Sequence, residues 1–415
     1  MKTLHIIVLG VLCCPLFICA IVISPYFFPV HFPQPTGPFG VGTQTQCLTM
    51  PHEQEWHSPH ADQKRELVIQ WWYPTDKKVR KATMPWAPEW VALLERHHSI
   101  CKLLALDNIY TYAQEHAPLA TANGHYPVII YSHGLGHGVL NDNTALCEEL
   151  ASTGYVVISV SHPYASAVVR FPDGREIKNT INTDVLPYTE RQTLATKEME
   201  LWITDIRYVL DYLETLATHH TPSIIFNGHL DLRHIGIFGH SFGGAAAVQM
   251  CRRDHRCKAC INMDGKLYGQ QPTSPFHKPC MLLLASESIK PSSLSEQEIL
   301  KRYQTHENYE VSCKEHGPAF DELVCAIGRD AYKITINGTG HGAFSDLALV
   351  KKHSLLMRLL PMETGLLNVS RSHEIIKAYV CDFFDRYLKG KSSALLDNQI
   401  ARYPEAEIRS YKSIE

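Results

Sequence analysis

The side chains of this sequence whose types and order could do chemistry stand in three places. Ser241 lies in Gly239-His240-Ser241-Phe242-Gly243-Gly244, acids follow at Asp264 and Glu287, and His341 lies in Asn337-Gly338-Thr339-Gly340-His341-Gly342. A serine hydroxyl attacks an ester only when a base takes its proton and a carboxylate orients that base. Serine, then acid, then histidine is the chain order in which a parallel sheet presents such a triad, each member at the C-terminal end of a strand. Ile235-Gly236-Ile237-Phe238 reads as a buried strand, and an alanine-rich helical stretch follows Gly244. The G-x-S-x-G match therefore sits in the strand–turn–helix context of a nucleophile elbow, whose glycines let the chain turn sharply under Ser241. Asp264 follows a strand ending at Met263, and Glu287 ends the next strand in Ala285-Ser286-Glu287. Either carboxylate could orient His341 on placement alone. The charge that develops on the attacked carbonyl needs two backbone N–H donors. Phe242, the residue after the nucleophile, offers one. Leu135, in Ser132-His133-Gly134-Leu135-Gly136 behind the 126–131 strand, is the candidate for the other.

The elements that must position these residues follow from the apolar pattern. Apolar runs at 66–73, 126–131, 155–160, 235–238, 259–263, 281–285 and 332–336 read as strands. Helical patterns stand between or after them at 144–152, 197–216 and 375–388. Such alternation implies an α/β fold: a mostly parallel central sheet with helices on both faces. Residues 288–315 are largely polar and read as loops or an insertion. Trp86, Trp90, Leu93 and Leu94 have helical spacing, and core packing is the commoner origin of such a stripe. The functional alternative is an apolar lip that makes Trp86 and Trp90 pocket-lining residues. His162, just after the 155–160 strand, is a further candidate for lining the pocket.

Length and composition bound the class. The chain has 415 residues, 45% of them hydrophobic and 20% charged, with a formal net charge of −3. It can bury a large core, and its charge gives no electrostatic argument for a nucleic-acid partner. The 24 histidines are scattered, so neither a metal site nor a cofactor is expected. Of thirteen cysteines, Cys13, Cys14 and Cys19 lie in the N-terminal apolar run; Cys251/Cys257 and Cys313/Cys325 are close enough to make local disulfides, with buried thiols the equal alternative. Residues 4–23 are almost wholly apolar, Lys2 is the only charge before them, and no lysine or arginine follows until Lys64. That asymmetry expects a signal peptide or membrane anchor over residues 1–24, with the rest exported or held outside the cytoplasm. Prolines at 25, 29, 33, 35 and 38 make residues 25–42 a tether, leaving 43–395 as the catalytic domain and 396–415 as a tail. Asn337-Gly338-Thr339 and Asn368-Val369-Ser370 match glycan acceptors.

Taken together, Gly37-Pro38-Phe39-Gly40-Val41-Gly42, Trp72-Tyr73-Pro74, the 126–136 stretch through Ser132-His133-Gly134-Leu135-Gly136, Leu150-Ala151-Ser152-Thr153-Gly154-Tyr155 and Gly239-His240-Ser241-Phe242-Gly243-Gly244 resemble one family. It is that of the plasma-type platelet-activating-factor acetylhydrolases, the group-VII phospholipases A2, with their bacterial α/β-hydrolase relatives. The resemblance runs in order from about residue 37 to residue 350. It implies the α/β-hydrolase fold, a Ser241–His341–Asp264 triad with the acid on Asp264 rather than Glu287, oxyanion donors at Leu135 and Phe242, and no metal. It also implies hydrolysis of the sn-2 ester of phospholipids bearing short or oxidised acyl chains; with the apolar leader, a membrane surface is the expected partner. Gly265-Lys266-Leu267 and Ser161-His162-Pro163-Tyr164 depart from the mammalian pattern. A general carboxylesterase or lipase is the enzymatic alternative. A surface-anchored binding protein on the same fold is the non-catalytic one.

Overall fold

The structure is a computed structural model that describes residues 29–411, apart from 61, 80, 87–107, 122–123, 182–185, 219–224, 270–276, 290–294, 315–318, 324–329, 354–362 and 398–401. The expected leader and Trp90 lie outside the described residues. Ten strands form one sheet: β1 (Gly40–Gln54), β2 (Lys64–Thr75), β3 (Gln114–Glu115), β4 (Tyr126–Ser132), β5 (Val156–Val160), β6 (Leu230–His240), β7 (Cys257–Met263), β8 (Cys280–Ala285), β9 (Ala331–Ile336) and β10 (Ala406–Tyr411). Their spatial order is β10-β9-β8-β7-β6-β4-β5-β2-β1-β3. Pairing is parallel from β5 through β4, β6, β7 and β8 to β9, and antiparallel where β10, β2 and β1 join the flanks. The parallel strands are buried on both faces, as their unbroken apolar runs require. Val128 and Ile130 of β4 point into one core, Ile129 and Tyr131 into the other.

Helices α1 (Thr144–Ser152), α2 (Tyr188–Thr218) and α3 (Phe242–Arg253) connect these strands. Two short helices follow, α4 (Glu296–Tyr303) and α5 (His306–Lys314), where the polar composition suggested loops; then come α6 (Asp346–His353) and α7 (Val369–Lys389). Met199, Trp202, Ile206 and Leu210 of α2 pack with Ala245 to Val248 of α3 on one face. Leu146 and Leu150 of α1 pack with Ile375, Tyr379 and Phe383 of α7 on the other. Asn368 caps α7, its side chain accepting from the Ser370 and Arg371 N–H groups, and Gly390 ends it in the left-handed region.

Three boundaries move. The 25–42 stretch is fixed to the domain from Val30 onward, where Val30 and His31 pair with Ile109 and Tyr110 and Phe32 is buried. Its Thr36 N–H donates to Glu149, Gly37 N–H donates to Ser152 Oγ at 3.0 Å, and Gly40 already opens β1. The C-terminal stretch is a strand of the sheet, since β10 pairs along all of β9. β2 runs past the 66–73 stretch to Thr75, with Pro74 paired to Val41. Cys251 and Cys257 are buried free thiols, not a disulfide, and Cys325 of the other pair lies outside the described residues.

Candidate active site

Ser241 stands between the end of β6 and the first residue of α3, at φ 55° and ψ −124°. A non-glycine residue there stores strain on the order of 1–3 kcal/mol, and the surroundings hold it in place. The Ser241 N–H donates to Met263 O at 2.8 Å, while its carbonyl accepts from Gly244 and Ala245 in the first turn of α3. Two glycines allow this packing. A Cβ on Gly243 would come 2.1 Å from Ser132 O, and one on Gly265 would come 1.8 Å from Ser241 O.

His341 follows β9 in a short 3-10 turn, His341–Phe344. Its Nδ1 lies 2.7 Å from Asp264 Oδ2. Asp264 follows β7 at φ 56°, and its own N–H donates to Leu283 O at 2.9 Å. Its carboxylate accepts from the Ala285 N–H at 2.9 Å and from Ser288 Oγ at 2.6 Å. Both Asp264 oxygens already accept, so His341 Nδ1 carries the hydrogen given to Oδ2 and Nε2 is left to act as a base. Burial lowers the His341 pKa, but the hydrogen bond and charge of Asp264, with Glu363 beyond, outweigh it and raise the value above the ordinary histidine range. Glu287 does not take this place. It is exposed on the turn Ser286–Ile289, with its carboxylate beside Gly340 and its N–H donating to Thr339 O at 3.2 Å.

The loop after β4 crosses above the elbow, for a Cβ on Gly134 would meet Ser241 Cβ at 3.4 Å. Leu135 lies in it, fixed by the bond from Gly136 N–H to Ala165 O at 2.7 Å. Phe242 opens α3, where backbone N–H groups have no acceptor inside the helix. Thus Leu135, Ser241, Phe242, Asp264 and His341 follow the C-terminal ends of β4, β6, β7 and β9, with His341 bonded to Asp264 and the Leu135 loop against Ser241.

The expected pocket-lining residues are placed differently. Trp86 is 1% exposed, packed on Phe32 with ring centroids 5.5 Å apart, and its Nε1–H donates to Asp346 at 3.1 Å. It is a core residue and forms no lip, because only burial gives its indole N–H that partner. His162 is wholly buried, hydrogen-bonded to Asp205 and Ser132, and is placed as a packed core residue. His240 was not singled out from the sequence. Its Nε2–H donates to the His341 carbonyl at 3.1 Å, and its ring lies 4.6 Å from that of His341. Burial pushes its pKa well below the ordinary range, so it stays neutral beside the base. Its position as the variable residue before Ser241 was the only signal.

Comparison with known proteins bears on the family and the fold. Residues 24–400 match the family described as platelet-activating factor acetylhydrolase, isoform II. A protein of Arthroderma benhamiae named "probable 1-alkyl-2-acetylglycerophosphocholine esterase" is 26% identical over 432 residues, spanning 96% of this chain and 98% of that protein. The platelet-activating factor acetylhydrolase of Cavia porcellus is 29% identical over 220 residues, 49% of this chain and 50% of its own. Among solved structures, a ferulic acid esterase from Streptomyces cinnamoneus superposes with a TM-score of 0.70 at 27% identity, covering 92% of this chain and all of that one. With its α/β-hydrolase sheet and elbow, the chain belongs to the platelet-activating factor acetylhydrolase family, isoform II.

Proposed function

We propose that the protein is a serine ester hydrolase that cleaves the sn-2 ester of phospholipids carrying short or oxidised acyl chains. The observation that carries this reading is the 2.7 Å contact of His341 Nδ1 with Asp264 beside a serine strained into the elbow conformation. Family membership supplies the substrate class. In the first half-reaction Ser241 Oγ attacks the ester carbonyl as His341 Nε2 takes its proton. Asp264 stabilises the imidazolium, and the N–H groups of Leu135 and Phe242 receive the oxyanion. Collapse of the tetrahedral intermediate breaks the bond to the glycerol oxygen, which leaves with the proton from His341. Water then gives a proton to His341 and attacks the acyl-enzyme, releasing the short carboxylic acid and restoring the Ser241 hydroxyl.

The fold neighbour favours a second reading, a carboxylesterase on other esters, because it is a ferulic acid esterase covering nearly the whole chain. One panel separates the two. Purified protein is given 2-acetyl and 2-palmitoyl phosphatidylcholines, nitrophenyl esters and a feruloyl ester. Preference for the 2-acetyl phospholipid supports the lipid reading, and turnover confined to the other esters overturns it.

We place the domain outside the cytoplasm and at a membrane surface, on the strength of the apolar 4–23 run and the lack of basic residues from there to Lys64. Among the described residues no helix is long and apolar enough to cross a membrane. Fractionation with protease accessibility tests this placement: a catalytic domain protected inside intact cells would refute it.

A further inference from the structure

The triad and its donors leave unused a second, deeply placed set of polar side chains. Arg65, Asp205, His162, Ser132, His133 and Ser166 are each 0% exposed. Arg65 of β2 donates Nε and Nη2 to the two Asp205 oxygens at 2.5 and 2.6 Å, and Nη1 to Glu55 at 2.7 Å. Asp205, on α2, also lies 2.8 Å from His162 Nδ1. An ionised carboxylate only accepts, so His162 Nδ1 bears the hydrogen and Nε2 accepts from Ser132 Oγ at 3.1 Å. The His162 ring lies flat on Trp202, 3.8 Å between centroids and 10° between planes. Ser132–His162–Asp205 thus copies the bonding order of a hydrolase triad where no substrate can reach it. A buried ion pair is not in general a net source of stability. What this one holds is geometry.

Ser132 ends β4, and the loop that carries Leu135 begins at the next residue. There His133 Nδ1 lies 2.8 Å from Gly134 O, while Nε2 faces Ser166 Oγ at 2.8 Å and the His162 N–H at 3.3 Å. A carbonyl only accepts, so the His133 hydrogen is on Nδ1. Burial, aided by the neighbouring His162, pushes the His133 pKa down to about 3, so this single-hydrogen form persists through neutral pH. The peptide joining Gly134 to Leu135 is planar and trans, so its N–H points opposite to its carbonyl. Pinning one end of that unit aims the other.

We infer that His133, held in place by Ser166 and the His162–Asp205–Arg65 chain, is the positioning residue that aims the Leu135 N–H at the oxyanion. This rests on the proposed hydrolase reading, and adds to it the device that sets the second donor. Ser132, for all its triad-like bonding, is not a nucleophile.

The experiment uses the full-length protein and short-acyl phosphatidylcholine, with a trifluoromethyl ketone as a mimic of the tetrahedral oxyanion. His133→Phe keeps a ring against Trp202 but cannot donate; His133→Asn returns an N–H donor to the same branch of the side chain. Losing one oxyanion donor outright lowers kcat about 10²- to 10³-fold, so a misaimed one is expected to lower it about 10- to 100-fold. His133→Phe should show that loss with KM changed less than about threefold, and should weaken the ketone by the same factor as kcat/KM. His133→Asn should restore kcat to within about fivefold of wild type. If His133→Phe does not fold, Ser166→Ala carries the test, with a parallel but smaller loss of kcat and ketone affinity. A folded His133→Phe, or failing it Ser166→Ala, with unchanged kcat overturns the inference, as does a fall in kcat with full ketone affinity. Wild-type protein that turns over no ester would instead refute the proposed function.

Discussion

Replacing Asp264 by asparagine tests the electrostatics of the triad with little change of shape. Asp264 sits at φ 56°, a conformation that asparagine tolerates as well as aspartate does. The Ala285 N–H, 2.9 Å from Oδ1, needs an acceptor, so the amide oxygen of Asp264→Asn turns to it. The amide nitrogen is then left facing His341 Nδ1 at the present 2.7 Å. Nδ1 must accept, the ring hydrogen moves to Nε2, and the base towards Ser241 is gone. The lost charge adds to this: two unit charges about 4 Å apart at an effective dielectric near 20 interact by about 4 kcal/mol, worth roughly 10³-fold in rate. Together the effects predict a fall in kcat of about 10³- to 10⁴-fold. Glu287→Gln, exposed beside Gly340, should stay within about threefold of wild type. The assay is steady-state hydrolysis of a nitrophenyl ester, with thermal melting to show that both variants fold. An Asp264→Asn enzyme within tenfold of wild type, or a Glu287→Gln enzyme as impaired as Asp264→Asn is predicted to be, refutes the assignment.

Three further outcomes follow from the same contacts. Because Asp264 raises the His341 pKa against the lowering effect of burial, kcat/KM should rise with pH through an apparent value above the usual histidine figure of about 6.5, as His341 loses its proton. In Asp264→Asn that limb should move to lower pH, and a limb that stays put contradicts the coupling. Arg65→Leu leaves Asp205 and Glu55 buried without their cation, so unfolding in urea should show about 3–5 kcal/mol less stability; a loss below about 1 kcal/mol would contradict the buried pairing. Trp86→Ala should lose about 3–5 kcal/mol, since the side chain is 1% exposed. It should leave the ratio of activity on micellar to monomeric substrate unchanged, and a selective fall on micelles would restore Trp86 to a lipid-facing role.

Much of the active centre was legible because its parts carry local signals. The Ile235-to-Phe238 run, the glycines around Ser241 and the strand ends before Asp264 and His341 each follow from spacing within a few residues. Spacing alone left Asp264 and Glu287 open and only the family resemblance pointed to Asp264; the structure bonds Asp264 to His341 and leaves Glu287 exposed. The Arg65–Asp205–His162 chain had no such signal. Arg65 and Asp205 are 140 residues apart, and an arginine in the charged run Lys64-Arg65-Glu66 ahead of the 66–73 strand reads as a solvent-facing residue. Trp86 was ambiguous for a related reason: helical spacing states which residues share a face, not what covers that face. The 406–411 strand was missed because its alternation, Ala406-Glu407-Ile408-Arg409-Ser410-Tyr411, suits an edge strand and is too polar for a buried run.

The central claim is that Ser241 carries the acyl group between the two half-reactions. Mixing the enzyme with excess 2-acetyl phosphatidylcholine, quenching in acid within the first turnovers and mapping the peptides by mass spectrometry tests it directly. The account predicts acetyl on the peptide containing Ser241, accumulating when deacylation is slowed at low pH, and absent in Ser241→Ala together with the activity. Acetyl on another residue, or substrate consumed at the wild-type rate by Ser241→Ala, would contradict it.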